Sequence, residues 1–357
     1  MPICPRSSLL LGEAEAKINS LILFFLSFIP SANSGWTPVS FSVIINQMEV
    51  SVKMFLIISN QIIKMCLLLI AGFICFKTGI VDHRGNKTLS NLLLLVINPI
   101  MIINSFQIEY SPHLLQGFLF ACLLAILTHA AGIAVTTMLI PKKEDRDYQI
   151  ERFSSMYSNC GFMGIPLVSS ILGSEGVLYL TAYIVVFNVF CWTHGLMVMT
   201  GNMSLQQLKK GLSSPVIFGS AIGLILFCIQ FKLPPVLGDT LTYLADLNTP
   251  VAMLIAGISL AETSLGKALK NPRLYLVTGI KLLVIPLIML VIFSFLPINA
   301  SVLFTILIAA ACPVATTGTM FSLRFDKNFR YASEIFAFTT VASLATIPLL
   351  VFLAEHF

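Results

Sequence analysis

Stretches of about 20 apolar residues, the length an α-helix needs to cross the hydrocarbon of a bilayer, follow one another from residue 55 to residue 354. Ten can be read: roughly 55–76, 89–108, 114–140, 153–172, 176–200, 212–231, 236–261, 274–296, 300–322 and 331–354. A chain so occupied is expected to be an all-α integral membrane protein, multi-pass and embedded in a lipid bilayer. Its 10% charged residues fall well short of the roughly 25% of soluble domains. The eight cysteines show no CxxC spacing, and all but Cys4 lie in apolar segments. They read as small membrane residues rather than a disulfide or metal framework, so neither metal nor cofactor is expected.

The loops alternate in charge. Lys77, Arg84 and Lys87 follow the first span, and Lys142, Lys143, Arg146 and Arg152 the third. Lys209 and Lys210 follow the fifth, Lys267, Lys270 and Arg273 the seventh, and Arg324, Lys327 and Arg330 the ninth. These are most of the 21 basic residues, while the loops after spans two, four, six and eight hold Lys232 alone. The positive-inside bias therefore puts the odd loops in the cytoplasm and both ends of the ten-helix core on the non-cytoplasmic side of the cell membrane. Dispersed along the loops in this way, the net charge of +5 is no nucleic-acid signal.

Residues 1–53 read differently. Leu21–Ile29 is too short to span and Pro30 ends it. A signal peptide, with Lys17 ahead of the apolar run and a cleavage-like Ala32-Asn33-Ser34, is one reading; Glu13 and Glu15 are wrong for its basic start. The other is a dispensable N-terminal extension, with Met48 or Met54 as the usual beginning.

Five spans (54–200) precede the linker 201–211 and five (212–357) follow it. An odd number per half forces opposite orientations, so any repeat is inverted. Matching marks support one. The second span carries Asn98-Pro99 and the seventh Asn248-Thr249-Pro250; the fourth carries Gly161, Gly164 and Pro166, and the ninth Pro313 and Gly318. Open backbone inside lipid costs several kcal/mol per unsatisfied group, so such breaks survive only in protein or beside a cavity. Corresponding breaks in two halves point to a transporter's binding site.

Asn159-x-Gly161-Phe162-x-Gly164-x-Pro166-Leu167 resembles the fourth-helix signature of the auxin efflux carrier family. Gly257-Ile258-Ser259-Leu260-Ala261, Lys281-Leu282-Leu283-x-x-Pro286-Leu287 and the alanine-rich approach to Pro313 resemble its second half. The resemblance covers about residues 54–354. It implies a bile-acid-symporter-like fold of two inverted five-helix repeats, with broken helices 4 and 9 crossing at midplane. It also implies secondary transport of organic anions such as auxin, malate or malonate. A substrate-carrying domain (spans 3–5 and 8–10) would move against a scaffold (spans 1, 2, 6 and 7).

The residues suggest how an anion would be held. Pro166 suits the first position of a helix, so Leu167–Leu172 reads as a half-helix whose first N–H groups lack intrahelical partners and carry a partial positive charge. Pro313 offers the same from the other direction. Two such ends suit a carboxylate. Asn159 can donate from its amide and Thr316 and Thr317 from their hydroxyls, unless these bond back to their own helix. Gly161 and Gly164 permit close approach to the backbone. Ile165 and Ala315 flank the breaks, and Asn98 and Asn248 complete the candidate substrate contacts. Ionised carboxylates near the two breaks are wanting, which favours an anion over a cation.

Four further residues are candidates for coupling or bracing. Lys281 inside the eighth span could neutralise the anion or brace the crossing. Asp246 could tie down N–H groups freed by the seventh-span break, and His129 and His194 could relay protons or be hydrogen-bonded and neutral. Gly219-x-x-x-Gly223 permits close helix contact, within the chain or in a homodimer through the scaffold. A sodium-coupled symporter of the bile-acid type is an alternative, as Asn98, Asn104, Asn248 and freed carbonyls could ligate the ion. A membrane sensor on the same fold is a second. An enzyme is not expected, since HExxH, GxSxG and paired carboxylates are missing.

Overall fold

The computed structural model describes residues 60, 61, 63–143, 147–201, 215–262 and 269–354. The N-terminal extension 1–53, the start of the first span and, apart from Gly201, the linker 201–211 lie outside them. Among the described residues every regular element is a helix. In chain order these are α1 (63–77), α2 (His83–Ser105), α3 (Pro112–Leu139) and α4 (Tyr148–Met156). A helical stretch Cys160–Thr200 follows, then α7 (Pro215–Cys228), α8 (Pro235–Asp246) and α9 (Asn248–Glu262). The last four are α10 (Pro272–Ser294), α11 (Ala300–Ala311), α12 (Thr316–Arg324) and α13 (Phe329–Ala354). Short polar side chains start several of them, as N-caps do. Asp82 accepts from Gly85 N–H, Ser111 from His113, Asn271 from Arg273 and Asn299 from Ser301.

Cys160–Thr200 is 41 residues long. As one rod it would reach about 60 Å, roughly twice the hydrocarbon thickness. Gly173, at φ 61° and ψ −150°, divides it into α5 (160–172) and α6 (174–200). Only glycine takes that backbone conformation without strain. Gly176 faces Val168, and Leu180 faces Gly164. These pairings run in opposite senses, so α6 doubles back along α5.

Among the described residues, six stretches are long and apolar enough to cross a membrane: His83–Ser105, Pro112–Leu139, Cys160–Thr200, Pro235–Glu262, Pro272–Ser294 and Phe329–Ala354. α7 and α11 are apolar but shorter. Large apolar side chains such as Leu119, Leu123, Phe218, Ile222 and Ile225 are exposed; lipid is the medium that tolerates them.

Proline accounts for three of the four π-turns among the described residues. Pro99, Pro166 and Pro286 each stand two residues beyond one, at Leu93–Ile97, Cys160–Gly164 and Ile280–Val284. A proline ring crowds the carbonyl four residues back and offers it no N–H; a widened turn moves that carbonyl aside and the helix continues. The expectation for Pro166 is corrected accordingly. The half-helix begins at Cys160, and Pro166 lies inside it. The fourth π-turn, Cys191–Gly195 in α6, is followed by Leu196-Met197 and has no such proline.

Glycines set the closest helix contacts. A Cβ on Gly219 would stand 3.0 Å from the Pro99 carbonyl oxygen, and one on Gly223 2.5 Å from the Phe106 ring. The Gly219-x-x-x-Gly223 face of α7 thus packs on α2 and Phe106 of the same chain. α1 and α9 meet likewise, Gly72 against Leu254 and Gly257 against the Leu69 carbonyl. One small buried cluster joins Met65 of α1, Leu93 and Ile97 of α2 and Ala252 and Ile255 of α9 to Phe162 and Met163 of α5. A larger one holds residues of α3, α4, α5, α6, α10, α11 and α13 together.

Candidate substrate site

Two helices stop short of each other and are joined by extended backbone. α4 ends at Met156, and Tyr157 turns to φ −89°, ψ 123°. α11 ends at Ala311, and Cys312 turns to φ −57°, ψ 148°. Ser158 and Val314 then form an isolated antiparallel bridge. Asn159 N–H donates to the Pro313 carbonyl at 2.7 Å, and Ala315 N–H to the Tyr157 carbonyl at 2.9 Å. The bridge satisfies backbone groups that the two breaks would otherwise strand in an apolar interior. Beyond it the chain re-enters helix on both sides, in α5 and α12.

Lys281 fastens this crossing from α10. Its side chain is 0% exposed, and its ammonium donates to Ser158 Oγ at 2.6 Å and to the Ala310 carbonyl at 2.7 Å. Ser158 Oγ donates in turn to the same carbonyl at 3.3 Å. Ala310 is in the last turn of α11, so the ammonium also meets the negative end of that helix. Of the two roles open to Lys281, the geometry is that of a brace.

A cavity of about 650 Å³ opens between α2, α5, α6, α9, α12 and α13. Phe162, Thr316 and Thr317 lie at its less exposed end, and His83, Lys87, Arg324 and Arg330 are exposed at the other. Glu262, 3.1 Å from His83 Nδ1, is the carboxylate among the lining residues. Thr316 and Thr317 are the first residues of α12. A threonine there has no carbonyl of its own helix four residues back to bond, and its N–H belongs to the helix end that favours an anion. Thr317 Oγ1 lies 3.8 Å from Cys191 Sγ.

The other candidate contacts stand apart from this lining. Ile165, Pro166, Pro313 and Ala315 are buried in protein. Gly164 is a packing position: a Cβ there would touch Cys312 Sγ at 3.4 Å and Cys160 at 3.5 Å. Gly161 is open, its nearest neighbour being the Asn98 amide nitrogen, 3.9 Å from where a Cβ would stand. Asn98 and Asn248, the matching marks of the two halves, touch: Asn248 Nδ2 donates to Asn98 Oδ1 at 2.6 Å, both buried. Asn248 Oδ1 is left without a partner, as is the buried Nδ2 of Asn159.

The coupling candidates are also placed. His129 is buried, its Nδ1 2.7 Å from the Ala125 carbonyl, among the rings of Tyr157, Tyr183, Phe187 and Phe190. His194 Nδ1 is 3.1 Å from the Tyr157 hydroxyl. Asp246 is exposed at the last residue of α8. Residues outside the sequence reading appear as well. Trp192 lines the cavity. Glu151, just ahead of the fourth apolar stretch, is a buried carboxylate held by Nε and Nη2 of Arg273 and by the Tyr331 hydroxyl at 3.2 Å.

Comparison with known proteins agrees with this architecture. The family described as membrane transport protein matches residues 57–351. An uncharacterized transporter of Methanothermobacter thermautotrophicus is 22% identical over 301 residues, 82% of this chain and 96% of its own. The uncharacterized transporter YfdV of Escherichia coli K12 is 25% identical over 206 residues, 55% of this chain and 64% of its own. The chain therefore belongs to the membrane transport protein family, the auxin efflux carriers whose fourth-helix signature it carries, and is a multi-pass membrane transporter.

Proposed function

We propose that this transporter carries small organic anions by alternating access, and that the cavity between α2, α5, α6, α9, α12 and α13 is the substrate's path. One observation carries the reading: a basic mouth of His83, Lys87, Arg324 and Arg330 leads to the bare first turn of α12 at Thr316 and Thr317. Cations at the mouth raise the local concentration of anions, and a helix N-terminus with two hydroxyls can receive a carboxylate. The aromatic and aliphatic lining between them suits the rest of a small organic acid.

The same reading makes ten crossings of the membrane. α4–α5 and α11–α12 are the discontinuous ones, α8–α9 bends at Leu247, and the short α7 and α11 belong to crossings. The antiparallel bridge and the Asn98–Asn248 pair relate equivalent positions of two inverted repeats. The mouth residues belong to the basic loops, so the positive-inside bias makes this an inward-open cavity with both core ends outside. An elevator-like shift of the α3–α6 and α10–α13 body against α1, α2 and α7–α9 would carry the crossing past the scaffold. Sodium coupling has support in the unpartnered, buried Asn248 Oδ1, since sodium needs converging oxygens.

The test is reconstitution into liposomes with a panel of mono- and dicarboxylates, with and without sodium, proton and potential gradients. Export of a monoanion from a negative interior gains about 2.3 kcal/mol per 100 mV, so uptake should respond to an imposed potential. Flux of at least one carboxylate above that of empty liposomes is expected. Absence of flux for the whole panel under every gradient sinks the reading.

A further inference from the structure

The π-turn Cys191–Gly195 in α6 has no proline to demand it. A π-turn interrupts the regular hydrogen-bond ladder, and isolated ones gather at functional sites. Within α6, Thr193 Oγ1 donates to the Val189 carbonyl at 2.6 Å, and from outside the helix the turn is met by Tyr157. Its hydroxyl donates to the Phe190 carbonyl at 2.9 Å, immediately before the turn. That hydroxyl's single proton is then spent, so the contact at 3.1 Å to His194 Nδ1 has the imidazole N–H donating to the phenol oxygen. A Cβ on Gly195 would stand 2.9 Å from the rings of both Tyr157 and Phe153, so glycine gives these rings their room.

Trp192 of the turn faces the substrate path, and Cys191 lies beside it. Trp192 lines the cavity and meets Phe321, also in the lining, edge to face at 5.2 Å and 72°. Cys191 Sγ is within 3.8 Å of the Thr317 hydroxyl. Tyr157 meanwhile belongs to the crossing, since its carbonyl accepts from Ala315 N–H, the residue before α12 begins. One residue thus ties the π-turn to the backbone that starts the anion-facing helix.

We infer that the π-turn Cys191–Gly195 is a built part of the substrate site, setting Trp192 against the carried molecule, with Tyr157 and His194 as its positioning residues. The inference rests on the proposed passage of an organic anion through this cavity, and it adds a specificity-determining wall to it. Trp192 selects by stacking on or edging against the apolar part of the substrate. Tyr157 and His194 act through it without touching the substrate.

The chain has two tryptophans, Trp36 and Trp192, so Trp36→Phe leaves Trp192 as the reporter. In that background, acrylamide quenching of the full chain in nanodiscs is measured for the parent, Tyr157→Phe, His194→Ala and His194→Gln. Loss of one buried hydrogen bond shifts the balance toward the released turn about fivefold. Tyr157→Phe and His194→Ala should therefore change the quenching constant and the emission maximum, while His194→Gln, which keeps a donor, should stay near the parent. Equal quenching in parent, Tyr157→Phe and His194→Ala overturns the positioning role. If Tyr157→Phe does not fold, the half-buried His194 pair decides it. In a second arm, any carboxylate transported in liposomes should protect Trp192 from acrylamide, and Trp192→Ala should raise its KM with a smaller effect on kcat. Transport without protection, and with an unchanged KM in Trp192→Ala, removes Trp192 from the path while leaving anion transport standing. Failure of the whole panel to be transported instead sinks the anion reading and the substrate contact inferred from it, and the quenching comparison, which needs no ligand, still decides what holds the turn.

Discussion

Lys281 Nζ lies 2.6 Å from Ser158 Oγ and 2.7 Å from the Ala310 carbonyl, so one buried ammonium holds both interrupted helices at the point where they meet. A buried charge persists only where it is paired or well hydrogen-bonded. Here a helix C-terminus and a serine do that work, with no carboxylate at either contact. The crossing is therefore a rigid knot of backbone bonds and one side chain, around which a substrate end can be presented.

Lys281→Met removes the charge and both of its bonds while roughly keeping the volume. Hydrogen bonds to charged groups are worth about 1.5–3 kcal/mol each, less the desolvation that no longer has to be met. A net loss of about 2–3 kcal/mol is expected, seen as a lower unfolding temperature in detergent together with weakened transport. A variant of unchanged stability would mean that the ammonium does not hold the crossing.

Asn159→Ala should separate folding from function. The Asn159 backbone carries the structural bond to Pro313, which the substitution keeps, while its buried Nδ2 has no partner. Removing an unsatisfied buried donor costs little stability and can raise it. Transport is expected to fall by about tenfold or more if that amide serves the substrate, one hydrogen bond to a carboxylate being worth about that much. Parent-level flux from the folded variant removes Asn159 from the site.

Thr316→Val and Thr317→Val keep shape and delete the two hydroxyls at the less exposed end of the cavity. Their stability effect should be small, because neither hydroxyl is committed to a carbonyl of its own helix four residues back. For the double variant, KM for a transported carboxylate should rise by about tenfold or more, with the unfolding temperature near the parent's. An unchanged KM places the carboxylate elsewhere.

The breaks at 157–159 and 312–315 are written in the sequence because lipid makes interruption expensive, so glycine and proline inside an apolar stretch carry information there. The Asn98 and Asn248 marks could be matched across the two halves for the same reason, and their side chains touch. Pro166 misled because two rules compete for it. A proline can start a helix, or it can sit inside one behind a π-turn, and the choice depends on packing that the local sequence does not state. Trp192 gave no signal because one aromatic in an apolar helix looks the same toward lipid, core or cavity. Glu151 was hidden for another reason. It reads as a loop charge beside Arg152 until α10 brings Arg273 against it.

That last pair sets the strongest contrast among these predictions. The Glu151 side chain is 3% exposed and its bonded partner Arg273 26%, with the Tyr331 hydroxyl as a third member. Arg273→Met leaves a buried carboxylate facing one phenol, and breaking a buried pair from one side costs about 3–5 kcal/mol. Glu151→Leu combined with Arg273→Met removes both charges, and exchanging a buried pair for apolar side chains is often close to neutral. The double variant should therefore be more stable than Arg273→Met alone, by about 2 kcal/mol or more. Thermal unfolding of the parent, Glu151→Leu, Arg273→Met and the double variant in the same detergent measures this as a double-mutant cycle. Additive losses would show that Glu151 and Arg273 do not depend on each other, and that α4 is held to α10 and α13 by packing alone.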